Sequence, residues 1–145
     1  MKTIVVGADG SPGSKIAVEF AAREAAAHGA ALRIVSAWEV PPTVLSSDGV
    51  APDIYQSFED EARRIGSEAA ARVAELQASV PREERVVEGH AGNVLVAESE
   101  TADLVVIGRR GHGALTEFLL GSTSHQVADH AHCPVVIVPP QAAAV

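Results

Sequence analysis

Leu104-Val105-Val106-Ile107-Gly108-Arg109-Arg110-Gly111-His112-Gly113 is four branched or long aliphatics running without a break into glycines. The run is too short for a buried helix and has no polar alternate, so it reads as a strand covered on both faces whose carboxyl end opens into a loop. The same pattern recurs outward in both directions. Thr3 to Ala8 is a β-branched run ended by Asp9-Gly10-Ser11-Pro12-Gly13, and Ala31 to Trp38 and Pro134-Val135-Val136-Ile137-Val138 are further apolar runs of strand length. A weaker strand surrounds Val86-Val87 within Glu84 to Gly89. Between the strands the apolar residues recur at helical spacing: Ile16, Ala17, Phe20, Ala21 and Ala25 from about Ser14 to Ala27, and Ile54, Phe58, Ala62, Ile65, Ala69, Val73 and Leu76 from Asp53 to about Ala78. Shorter helices are expected from Gly92 to about Glu100 and from Ser122 to Ala131, and Val40 to Pro52 has no periodicity and reads as a loop. Strands alternating with helices predict an α/β fold: an open, mostly parallel five-stranded sheet with helices on both faces. Ligands of such sheets sit beyond the carboxyl ends of the strands, where the loops after Ala8, Trp38 and Ile107 converge.

With 145 residues the chain is read as one domain, residues 1–145. The formal charge of −8, from 11 Lys and Arg against 19 Asp and Glu, argues against nucleic-acid or anionic-membrane binding. No stretch is long and apolar enough for a membrane span or a signal h-region, and the lone cysteine, Cys133, excludes an internal disulfide. The expectation is a soluble protein of a reducing, cytoplasmic compartment. Cys133 itself is expected to be a small buried residue.

The glycine loop after Ile107 suits anions. Glycines let backbone N–H groups approach an oxyanion, and Gly121-Ser122-Thr123-Ser124 opens a helix, where unpaired N–H groups and the macrodipole favour negative charge. Arg109 or Arg110 can add charge-assisted contacts, and His112 lies in the same loop. Read from the residues alone, a glycine-rich turn with a serine N-cap stands equally beside a phosphate cradle. No Gly-Lys-Ser/Thr of a Walker A loop occurs, and Thr116 stands where a dinucleotide fingerprint has its third glycine. Asp9, at a strand's carboxyl end, suits ribose hydroxyls or Mg2+, against the alternative of an Asx turn in Asp-Gly-Ser-Pro-Gly. Trp38 reads as packing, and the Glu59-Asp60-Glu61 run as a solvated first helical turn. The histidines lack metal-ligand spacing, and no Gly-x-Ser-x-Gly elbow is present.

Gly108-x2-Gly111-x9-Gly121-Ser122 resembles the ATP-binding signature of universal stress proteins, Gly-x2-Gly-x9-Gly-(Ser/Thr), with every fixed position filled. Val6-Gly7-Ala8-Asp9-Gly10-Ser11, Asp103-Leu104-Val105-Val106-Ile107-Gly108 and Cys133-Pro134-Val135-Val136-Ile137-Val138 are also similar to that family, so the resemblance covers essentially the whole chain. It implies a Rossmann-like, adenine nucleotide alpha hydrolase-like sheet in the order 3-2-1-4-5, usually dimeric. It also implies an adenine nucleotide, ATP with or without Mg2+, as ligand. Carried over by position, Gly108, Gly111, Gly121 and Ser122 match the phosphate and ribose loop, with Arg110 inside it and Thr123 and Ser124 continuing its hydroxyls. Asp9 matches the acidic position that can hold Mg2+, Ala37 lies where the family contacts adenine, and Ala8 and Ile107 flank the pocket.

The leading expectation is therefore an ATP-binding stress-response regulator rather than a fast enzyme, since no base for rapid phosphoryl transfer is evident. Cyclic AMP is the alternative ligand, and slow Mg2+-dependent ATP hydrolysis the alternative activity. A phosphoacceptor receiver domain is rejected, because Glu88-Gly89 and Pro139-Pro140 stand where it needs an aspartate and a lysine. Pro134 to Val138, an apolar edge strand, is expected to pair with a second copy as a homodimer.

Overall fold

The computed structural model describes residues 1–109 and 120–140. Within them the order is β1 (Thr3–Gly7), α1 (Pro12–His28), β2 (Ala31–Trp38), α2 (Pro52–Leu76), β3 (Arg82–Glu88), α3 (Ala91–Ser99), β4 (Leu104–Gly108), α4 (Ser122–His130) and β5 (Val135–Val138). The five strands form one parallel sheet in the order β3-β2-β1-β4-β5, as the sequence resemblance implies. The expected loop from Val40 to Pro52 contains a 3-10 turn at Pro42–Val44 and a tight Ser46–Gly49 turn.

Strand alternation sorts the core into two halves. Ile4, Val6, Leu32, Ile34, Leu104, Val106 and Val138 face α1 and α2, where Ala17, Val18, Ala21, Ala25 and Val73 cover them. Val5, Val35, Val105 and Ile107 face α3 and α4, against Val94, Leu95 and Val127. The alanine-rich face of α1 has a packing reason: small side chains let the helix axis lie close over β1 and β4. α1 is bounded by local chemistry. Ser11 Oγ accepts from the Ser14 N–H at 3.2 Å, Pro12 occupies the first turn, and Gly29 ends the helix in the left-handed region at φ 62°.

α2 starts at Pro52, one residue before the expected Asp53, so Glu59-Asp60-Glu61 is not the first turn. The run sits two turns inside the helix, where Glu59 pairs with Arg63 at 2.6 Å and Glu61 with Arg64, an i,i+4 and i,i+3 ladder rather than a dipole effect. Cys133 is half-buried rather than fully buried, and its desolvation, with Asp103 nearby, pushes the thiol pKa up.

On the α3 side of β2 and β3, Arg33 is drawn into the protein. Its guanidinium donates to Glu83 at 2.8 Å, to Glu98 at 3.0 Å and to Thr101 Oγ1 at 2.9 Å, while Arg85 reaches Glu98 at 3.1 Å. This network ties the open edge strand β3 to α3, and nothing in the hydrophobic pattern announces it.

Candidate functional site

The chain runs outward from β1 in both directions across the sheet, to β2 and β3 on one side and β4 and β5 on the other. The switch point therefore lies between the carboxyl ends of β1 and β4. The loop leaving β1 is built by its own polar groups. Asp9 Oδ1 accepts from the Ser11 N–H at 2.8 Å, the Asx turn that the Asp-Gly-Ser pattern allowed, and the Asp9 N–H donates to Ser14 Oγ at 3.2 Å. Gly10 follows at φ 81°, which a residue with a side chain rarely adopts, and a β-carbon there would stand 3.3 Å from the Ile65 side chain of α2. These contacts leave Asp9 exposed at the end of the sheet while Ser11 and Ser14 are buried beneath it. The Asx turn and a ligand role are compatible, since a carboxylate has acceptor sites beyond the one the turn uses.

The end of β4 meets the first turn of α1 backbone to backbone. A β-carbon placed on Gly108 would stand 2.8 Å from both the carbonyl carbon and oxygen of Gly13, so a glycine is needed there for the two segments to touch. The chain then reaches Arg109, whose N–H donates to the Val138 carbonyl at 3.1 Å and whose carbonyl accepts from the Gly121 N–H at 2.9 Å. Ser124 fixes the same corner from below: its buried hydroxyl lies 2.7 Å from the Gly108 carbonyl and 2.9 Å from the Arg109 carbonyl. Its hydroxyl hydrogen is thus directed to the loop backbone.

The expected residues separate into groups. Asp9, Gly108, Gly121, Ser122 and Thr123 converge at the β1–β4 end, with Ser122 exposed and Gly121 in the N-cap position of α4 without a side-chain cap. The first-turn N–H groups of α4 therefore have no capping side chain. Ala8 and Ile107 flank this end as expected, but both side chains are buried, Ala8 toward α1 and α2 and Ile107 toward α3 and α4. Ala37, the last residue but one of β2, lies one strand over, half-buried, with its side chain against the α3–α4 core. Arg110, Gly111 and His112 lie outside the described residues.

Two features escaped the residue-by-residue reading. Gly13 carries the contact that seats Gly108, and a glycine inside a cluster of turn formers gives no hint of it. Arg109 was named beside Arg110 as a source of charge-assisted contacts, and what escaped is how its side chain is set: its Nε is buried and has no hydrogen-bond partner among the described residues. A buried guanidinium N–H without an acceptor at the mouth of a glycine loop is chemistry that an anion satisfies. The donor set of this end, backbone N–H groups, hydroxyls and the Arg109 guanidinium, fits a phosphorylated ligand. Among the described residues no group of three or more His, Cys, Asp and Glu could hold a metal ion by itself. No helix of the described residues is long and apolar enough to cross a membrane.

Residues 1–139 match the universal stress protein family. A universal stress protein of Thermus aquaticus is 39% identical over 143 residues, covering 94% of this chain and 98% of that protein. A universal stress protein of Mycobacterium tuberculosis is 37% identical over 153 residues, covering 94% of this chain, which spans only 47% of the mycobacterial protein. Among solved structures, a universal stress protein in complex with cAMP superposes with a TM-score of 0.71 at 34% identity, covering 94% of this chain and 96% of the other.

Proposed function

The chain belongs to the universal stress protein family, and from that premise we propose that it is an adenine-nucleotide-binding regulator that takes ATP at the β1–β4 end of its sheet. The observation that carries this reading is the contact of Gly108 with Gly13, which joins the carboxylate-bearing loop to the uncapped start of α4. Gly121 and Ser122 would offer their N–H and hydroxyl groups to phosphate oxygens, and Arg109 would supply the acceptor-less Nε. Asp9 would take ribose hydroxyls or one coordination position of Mg2+, the remaining positions falling to phosphate and water. Ser124 holds the loop, on this reading, and contributes to the ligand through it.

The complex of a 34% identical relative with cAMP supports cyclic AMP as the second reading. The two ligands differ in what they ask of the site. A triphosphate gains from the whole anion-binding corner and from Mg2+ at Asp9, whereas a cyclic monophosphate needs one cradle and no metal. A regulatory role, with at most slow Mg2+-dependent hydrolysis, belongs to the same proposal. A homodimer through β5, whose Val135, Val136 and Ile137 are only half-buried on the sheet's outer edge, belongs to the same proposal.

Calorimetric titration of nucleotide-stripped protein with ATP, ADP and cAMP, each with and without Mg2+, tests it. Micromolar ATP binding, about 8 kcal/mol, that strengthens with Mg2+ in the wild type and not in Asp9→Asn is the expected result. Preference for cAMP independent of Mg2+ selects the second reading, and absence of binding rejects both.

A further inference from the structure

Beside the proposed site, at the carboxyl ends of β2 and β3, lies a cluster of three side chains from three elements. Trp38 and Glu88 are register partners, and the Gly89 N–H donates to the Trp38 carbonyl at 2.7 Å. Alternation turns both toward α2: Ser36, two residues before Trp38, lies against Gly66, and Glu84, four before Glu88, accepts from Ser67 Oγ at 3.1 Å. Tyr55, in the first turn of α2, meets this pair twice. Its ring stands edge-on to Trp38, with centroids 5.0 Å apart and planes at 79°, and its hydroxyl donates to Glu88 Oε2. Neither aromatic ring belongs to either half of the core.

What the cluster joins is the beginning and the end of residues 39–51. That segment leaves the sheet at Trp38, one residue beyond Ala37, and re-enters α2 just before Tyr55. Inside it lie the 3-10 turn, a Ser46 Oγ to Gly49 carbonyl bond of 2.8 Å, and Leu45, 55% exposed. A loop closed at its base by a ring contact and a hydrogen bond has fewer accessible conformations than one tethered only by the chain.

We propose that Tyr55 is a positioning residue for the nucleotide site, clamping the base of residues 39–51 to Trp38 and Glu88 so that this segment stands as the wall on the base side and sets how fast a bound adenine nucleotide leaves. The inference rests on the nucleotide reading above and deepens it. The hydroxyl is protonated at neutral pH and Glu88 is its acceptor, and this bond raises the tyrosine pKa further. The clamp is therefore closed throughout the physiological range.

The test compares Tyr55→Phe, which keeps the ring and removes the hydroxyl, with Glu88→Ala and with Glu88→Gln, which keeps an acceptor. The dissociation rate of a fluorescent ATP analogue, or of a cAMP analogue if that is the tighter ligand, is read by stopped-flow chase. Amide exchange over 39–51 and the emission of Trp38, the single tryptophan, are read without nucleotide. Tyr55→Phe and Glu88→Ala are each expected to speed dissociation about threefold to tenfold and to speed exchange over 39–51, the double variant doing no more than either single one. Glu88→Gln is expected to stay near wild type, a rescue that loss of a merely stabilising contact would not separate from Glu88→Ala in dissociation rate. Wild-type dissociation in Tyr55→Phe, with wild-type protein binding normally, overturns the clamp alone. Failure of the wild type to bind either nucleotide overturns the nucleotide reading and this inference with it.

Discussion

Replacing Gly108 by alanine is expected to weaken both the fold and the site, by an amount the geometry constrains. The new methyl would stand 2.8 Å from the Gly13 carbonyl carbon and oxygen, where ordinary contact begins at 3.4 Å, so one segment must retreat by about 0.6 Å. The obstacle is backbone at the first turn of α1, fixed by the Ser11 cap and by the buried alanine face behind it, and no side chain can swing aside. Overpacking against a fixed wall costs about 1 to 3 kcal/mol. Against this, Gly108 is not among the glycines at positive φ, so alanine gains about 0.4 to 1 kcal/mol by restricting the unfolded chain. The net expectation is a loss of about 1 to 2 kcal/mol, seen in urea unfolding as a midpoint lower by about 1 M at unchanged slope. Nucleotide affinity should fall as well, because the displaced segment carries Asp9 or the start of α4 with it. Gly29→Ala is the control. It meets nothing within 4 Å but sits at φ 62°, so it should cost about 1 kcal/mol of stability and leave affinity untouched. A Gly108→Ala protein as stable as wild type, with intact nucleotide binding, would refute the close approach of the two segments as the basis of the site.

Ser124→Ala removes a buried hydroxyl from two carbonyls and is expected to cost about 1 to 2 kcal/mol in thermal or urea unfolding, whereas exposed Ser122→Ala should lower nucleotide affinity in calorimetry and leave the unfolding midpoint in place. Arg33→Met leaves Glu83, paired with Arg85 at 3.7 Å, and the Glu98 carboxylate, whose side chain is 10% exposed, to share Arg85; a loss of about 3 kcal/mol is expected, with most of it recovered by adding Glu98→Leu if the cost is the under-compensated charge. Asp103 accepts from the N–H groups of Thr3 and Lys2 at 2.9 and 2.7 Å, and these bonds hold its pKa below the ordinary value. A depressed carboxylate stabilises the fold fully above the unfolded aspartate pKa of about 3.9 and loses that contribution as pH falls through the folded value. Amide protection of β1 should therefore drop in that acid window in the wild type and show no such step in Asp103→Asn.

The strands were legible because their message is redundant. Leu104 to Ile107 and, Arg33 and Ser36 apart, Ala31 to Trp38 are apolar runs covered on both faces, so nearly every residue points to the same state, and turn formers punctuate their ends. The start of α2 was legible to within one residue, Asp53 against Pro52, but the acidic run was misplaced: Glu59-Asp60-Glu61 has the charge a first turn favours and lies two turns inside the helix, where Arg63 and Arg64 pair with it. The site divides the same way. The spacing of Gly108, Gly121 and Ser122 is visible in one dimension, since it repeats a known signature. The contact of Gly108 with Gly13, the Arg33 bonds to Glu83 and Glu98, and the meeting of Tyr55 with Trp38 and Glu88 join residues 17 to 95 positions apart. No local pattern encodes them, because they exist only after the sheet has set its order.

The glycine signature therefore divides between two tasks. Gly108 answers a packing demand, since any larger residue strikes α1's first turn, and Ser124 answers the carbonyls that this turn-out of the chain leaves buried. Gly121 and Ser122 are placed differently, at an uncapped helix start with Ser122 exposed, where their groups remain available to a ligand. A corner whose walls are fixed by packing can hold its donors in place before a ligand arrives, which lowers the ordering cost of binding. Substitutions in the first group should then change affinity and stability together, and those in the second affinity alone. That split would not arise if the whole signature were only a helix-capping turn, for then Ser122 would matter to stability or to nothing.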